Sequence, residues 1–335
     1  MSEKTELDDA AARSGATAAD PTARTASAPP TARESTAAAT PDAPDAAGGP
    51  DKEAEASLWA DAWRSLRRNP WFLVSGALLV VIVAMAIVPQ VFTSVDPGSC
   101  DLSKSRQAPS AQHWFGTDIQ GCDYYTRVIH GARNSMIVGV VVSIGVFAVA
   151  VVVGLLAGYF GGWIDGLLSR ITDMIFAIPY MLGALVFLNI IDTRGPIQVA
   201  LVLMLFTWPT SARLMRGSVM SVVNSEYVMA AKALGAGHLT IMRRHILPNS
   251  LGPLIGYSTV FIGIIIGAEA TLTFLGVGLQ LPAISWGLQL TDAQSYVTSS
   301  PHLLLFPVIF VGVTVFAFMT LGDAVRDALD PKSKR

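Results

Sequence analysis

Six nearly uninterrupted apolar stretches constrain this chain more than any other feature. Each is close to the length needed to cross roughly 30 Å of bilayer hydrocarbon. They fall at 71–92, 136–156, 171–191, 197–212, 251–275 and 303–321, the fourth being the shortest. Away from water, a helix lets such a run satisfy its own N–H and C=O groups. The expected fold is therefore all-α: a polytopic membrane protein with six transmembrane helices. Composition agrees, because only 14% of residues are charged, whereas a soluble domain carries about 25%. Many of those charges sit in the polar segments between the runs.

Residues 1–56 are dominated by Ala, Thr, Pro, Ser, Asp and Glu. They lack the apolar surface that offsets ordering entropy, so they are expected to form a disordered N-terminal tail. No apolar core follows a basic start, which argues against a secretory signal. Asp8, Asp9 and Asp20 argue against a transit peptide. In segment 57–70, Leu58, Trp59, Ala62, Trp63 and Leu66 recur at helical spacing with Arg64, Arg67 and Arg68. This pattern fits an amphipathic helix in the membrane interface, and equally the basic flank of the first span.

Lys and Arg in the connecting segments set the expected orientation. Arg64, Arg67 and Arg68 place the N-terminus inside. Arg213, Arg216, Lys232, Arg243 and Arg244 place the loop between spans four and five inside. Lys332, Lys334 and Arg335 do the same for the C-terminus at 331–335. The external loop, 93–134, runs against the rule through Lys104, Arg106, Arg127 and Arg133. The rest of the chain is a helical core at 135–330 that carries the inside loop 221–253.

Several chemistries lack their signatures. There is no Gly-x-x-x-x-Gly-Lys-Ser/Thr phosphate loop, and neither His-Glu-x-x-His nor Gly-x-Ser-x-Gly occurs. The five histidines are scattered, and Cys100 and Cys122 are too far apart for a paired-cysteine metal site. No catalytic, cofactor or metal role is expected. Basic residues cluster only beside the membrane, so nucleic acid is not an expected partner.

The inside loop is the most informative segment. Asn224 suits an N-cap. Tyr227, Ala230, Ala231 and Leu234 then mark an apolar face, and Gly235 is placed to end that helix. Leu239, Ile241, Met242, Ile246 and Leu247 mark a second short helix, which Pro248 is expected to stop. With Lys232, Arg243 and Arg244, the pair would make a compact basic knob able to seat in a groove on a soluble partner.

Ala230-Ala231, Gly235 and Leu247-Pro248 resemble the coupling loop of ATP-binding-cassette importer permeases. The longer string from Glu226 and Tyr227 through His245 and Pro248 is similar to the dipeptide and oligopeptide branch. Met229 stands where that pattern has Glu, and His245 where it has Ile. Outside, His113-Trp114-Phe115-Gly116-Thr117-Asp118 with Gly121-Cys122-Asp123 resembles the C-type subunit of the same branch, which favours Arg at the Cys122 position. The stretch from Glu269 to Gly278, then Ser285-Trp286-Gly287, is also similar.

The resemblance implies the type I importer permease fold and a non-catalytic subunit. It implies a second homologous permease, two ATPase domains, an external substrate-binding protein and peptide as substrate. The loop would dock on an ATPase and transmit its closure. Asp118, Asp123, Arg127 and Arg133 are expected to form an ion-pair network in the external loop. Cys100 and Cys122 share that loop, where an oxidising exterior permits a disulfide; two unrelated small residues is the competing reading. Glu269 lies inside the fifth span, where a carboxyl is costly, which makes it a candidate for the translocation path or for a structural partner. The alternative class is an ion-coupled secondary transporter with Glu269 in its coupling site.

Overall fold

A computed structural model describes residues 63–329. The tail at 1–56, residues 57–62 of the interfacial segment and the C-terminus at 331–335 lie outside the described residues. Within 63–329 the elements are helical, joined by turns and two isolated β-bridges. Five helices are long and apolar enough to span a membrane, or six when one bent pair counts as a single span.

Helix α1 covers Pro70–Ile87, with the Asn69 side chain accepting from the Trp71 amide at 3.0 Å. It ends before the expected 92 because Pro89 holds Val88 out of the helical region (φ −128°, ψ 63°). Helix α2, Tyr124–Phe160, is 37 residues long. It starts well before 136 because the Asp123 side chain caps it, accepting from the Thr126 amide at 2.9 Å. The loop after the first span thus ends near 123, not 134. Its first turns are too polar to register in an apolar run.

The expected third span is broken. Helix α3, Gly162–Phe176, and helix α4, Tyr180–Ile190, meet at a 76° bend. Pro179 sits at that break, with no N–H to continue the ladder. Helix α5, Pro196–Val223, is far longer than 197–212 because Arg213 and Arg216 end the apolar run without ending the helix. Helix α6, Glu226–Ala233, follows, then helix α7, His238–Ile241.

Pro248 does not stop the second loop helix. A π-helical turn at Met242–Ile246 joins α7 to helix α8, Leu247–Phe274, and His238–Phe274 forms one span-length unit. A proline removes one backbone bond and crowds the carbonyl of the preceding turn; a widened turn just ahead of it accommodates both. Helix α9, Trp286–Ala293, and helix α10, His302–Leu329, complete the bundle.

α2 and α5 form the centre. A Cβ on Gly154 would stand 2.6 Å from the Met215 Cβ, and one on Gly158 2.8 Å from the Val219 Cβ. Such close backbone approach supplies packing where lipid provides no hydrophobic driving force. One buried cluster joins Val142, Leu188, Leu203, Met215 and Ile265 across α2, α4, α5 and α8. A second joins Leu79, Val128, Trp286, Leu303 and Phe318 across α1, α2, α9 and α10. Hydroxyls within the helices, such as Thr207, Ser250 and Thr314, bond the carbonyl four residues back.

Candidate coupling site

α6 begins at Glu226 with Ser225 as its N-cap, one residue later than the expected cap at Asn224; Ser225 has extended backbone, and its hydroxyl donates to the Val222 carbonyl at 2.7 Å. Its end is closed by two bonds: the Gly235 amide donates to the Lys232 carbonyl at 3.0 Å and the Ala236 amide to the Ala231 carbonyl at 3.1 Å. This is the Schellman arrangement, and it requires the left-handed backbone of Gly235 (φ +79°).

The two short helices bury little. Val228, Ile241, Met242 and Ile246 point into the bundle. Tyr227, Met229, Ala230, Leu234 and Leu239 are exposed, Leu234 at 88%. Lys232, Gly235, Arg243, Arg244 and Pro248 are exposed too, whereas Glu226 is exposed at the first turn and Ala231, His245 and Leu247 are half-buried. The face expected from Tyr227, Ala230 and Leu234 is thus presented outward, beside three basic side chains. A patch of this kind marks an interaction surface.

Two contacts that sequence reasoning missed fasten the loop to the bundle. The Tyr159 hydroxyl lies 2.7 Å from His238 Nδ1, and the Lys232 ammonium stands 5.8 Å from the centre of the Tyr159 ring. The end of α2 is therefore tied to the start of α7. His238 lies far from Tyr159 in sequence and forms no motif with it.

At the opposite end, residues 93–123 form a clasp. Cys100 and Cys122 are joined by a disulfide. Asp118 accepts from the Gln120 and Cys122 amides, each at 2.8 Å, and from Arg127 at 2.6 Å. Gly121 must be glycine, because a Cβ there would stand 1.8 Å from the Asp101 carbonyl oxygen. Of the four residues expected to form a network, only Asp118 and Arg127 pair. Asp123 is taken by the α2 cap and by His113, 2.9 Å away, and Arg133 is exposed and forms no ion pair among the described residues. Beside the clasp, burial pushes the Asp292 carboxyl above its ordinary range, with Arg127 pulling it down and Asp118 raising it.

Glu269 is fully buried. Ser135 of α2 donates to one carboxylate oxygen at 3.1 Å and Thr273 to the other at 2.9 Å. The Thr273 hydroxyl in turn accepts from the Leu279 amide at 3.1 Å. The carboxyl thus knots α2 to the end of α8 and to the segment leading into α9.

Residues 150–335 match the family model for the binding-protein-dependent transport system inner membrane component. Residues 57–109 match that for the N-terminal TM domain of oligopeptide transport permease C. The dipeptide transport system permease protein DppC of Alkalihalophilus pseudofirmus is 40% identical over 83% of this chain and 91% of its own length. The oligopeptide transport system permease protein OppC of Bacillus subtilis is 35% identical, covering 83% and 91%. The glutathione transport system permease protein GsiD of Pectobacterium atrosepticum is 35% identical, covering 82% and 92%. A solved inward-facing structure of the MetNI methionine ABC transporter superposes at a TM-score of 0.50 and 18% identity, over 60% of this chain and 95% of that one. That likeness shows the fold.

Proposed function

The chain belongs to the binding-protein-dependent transport system inner membrane components, and from that premise we propose that it is one of two membrane-spanning subunits of an ATP-driven importer of peptides. One observation carries the reading. The loop α6–α7 presents an apolar and basic surface, and its second helix, α7, is continuous with a span through the π turn. A force applied to α7 by a soluble partner therefore reaches α8 along one helical unit.

In this reading the chain does not hydrolyse ATP. Two ATPase domains close on nucleotide, one of them seating Tyr227, Ala230 and Leu234. The closure moves α6–α7, and with it α5 and α8, so that the pathway shared with a second permease opens outward to an external binding protein. Energy reaches this subunit only as a difference in contacts between conformations. Both termini and the α6–α7 loop face the cytoplasm. The Cys100–Cys122 disulfide supports that orientation, because disulfides persist on the oxidising side, and it offsets the ambiguity left by the basic residues of that loop.

Dipeptides or short oligopeptides are the substrate class, supported by the dipeptide, oligopeptide and glutathione permeases among the relatives. Glu269 acts beside the path by fixing α2 against α8, not as an ion-coupling group; neither the fold nor the relatives support an ion-coupled transporter. The test is uptake of radiolabelled dipeptide in cells whose partner ATPase carries a disabled phosphate-binding lysine. Uptake that stops confirms the reading; uptake that continues overturns it.

A further inference from the structure

α2 and α5 are held together by glycine-mediated backbone contact, but α3 is not packed that way. Its one buried residue is Thr172. Two ion pairs hold it to α5 instead. Near the start of α3, the Arg216 guanidinium grips Asp165 with two parallel bonds of 2.6 Å. Near its end, Arg213 bonds Asp173 at 2.7 Å and lies 4.2 Å from the centre of the Phe176 ring, at the bend into α4. Between the pairs lies a cavity of about 260 Å³ lined by Gly154 and Ala157 of α2, Ser169 and Thr172 of α3, and Ala212 of α5.

We propose that Asp165–Arg216 and Asp173–Arg213 are positioning residues for transport: two latches that hold α3 to the α2–α5 scaffold and release it during the cycle. The proposal rests on the transport reading above. Three features support it. Apart from Ile175, which packs against the central cluster, α3 meets α5 through long guanidinium side chains, whose bond geometry is specific while made. An interior is normally close-packed, so a cavity under an otherwise loosely buried helix leaves room for it to move. Arg213 and Arg216 also sit only about two to three turns before Val223, where α5 leads straight into α6. A displacement of the coupling helix that shifts the end of α5 therefore shifts both arginines with it.

The test uses the full transporter in inside-out membrane vesicles. Both native cysteines are in the disulfide, so Thr172→Cys introduces the sole thiol, and its reaction with a charged maleimide reports on the cavity. In that background, Asp165→Asn and Arg216→Gln should each raise the labelling rate about tenfold and lower ATP-dependent uptake about tenfold, the scale of losing a charge-assisted bidentate pair. Exchanging the charges, Asp165→Arg with Arg216→Asp, should restore much of both. Membrane abundance is measured alongside to exclude misfolding. Unchanged labelling in both single variants overturns the latch, as does raised labelling with wild-type uptake. Faster labelling in a transporter whose wild type carries no peptide supports the latch and overturns the substrate reading instead.

Discussion

Replacing Gly235 isolates backbone conformation from steric bulk. Its φ of +79° is a region that side-chain-bearing residues occupy at a cost of roughly 1–2 kcal/mol, and no atom lies within 4 Å of where its Cβ would stand. The penalty for Gly235→Leu is thus purely conformational. It weakens the two closing bonds from the Gly235 and Ala236 amides and shifts the loop away from its docked geometry. A cost of 1–2 kcal/mol lowers the competent population about 5- to 30-fold. ATP-driven peptide uptake, divided by membrane abundance from an immunoblot, should fall within that range while abundance stays normal, since the site is exposed. Gly235→Asn should lose much less, because asparagine tolerates the left-handed region. Equal losses for Asn and Leu would show that size, not backbone, matters there. Full uptake in Gly235→Leu would remove the turn from coupling altogether.

Glu269→Gln should leave abundance and uptake near wild type, since the amide oxygen still accepts from one hydroxyl, whereas Glu269→Leu strands the Ser135 and Thr273 hydroxyls at about 1–3 kcal/mol each and should lower membrane abundance; normal abundance with abolished uptake would place Glu269 on the path itself. Membrane-impermeant alkylation of intact cells should label the exposed Cys100 only after reduction, with the buried Cys122 following only on denaturation, and labelling without reduction would contradict both bridge and orientation. The folded-state carboxyl of Asp292 sits above its unfolded value of 3.8, so the folded protein holds that proton more tightly. Its stabilising contribution is full below the unfolded value and is lost as pH rises through the folded one. Asp292→Asn should therefore raise the melting temperature near neutral pH, on the order of 2 °C, and the gain should shrink toward about pH 4; a gain independent of pH would point to packing instead.

Sequence alone determined the helical membrane class, the approximate place of each span and the turn at Gly235, because each rests on local physics: apolar length against bilayer thickness, and a backbone angle that glycine accommodates without strain. Helix ends were misplaced wherever charge and helix part company. Arg213 and Arg216 ended the apolar run at 212 but not α5, and the polar first turns of α2 hid its start at Tyr124. Pro248 and Pro179 carry the same local signal, yet one is absorbed by a π turn and the other marks a 76° break. Only tertiary structure could decide that Tyr159 meets His238, that Asp123 caps a helix instead of pairing with arginine, or that Asp165 and Asp173 find Arg216 and Arg213. Those partners are far apart in the chain, and no periodicity within one helix encodes which face of another it will meet.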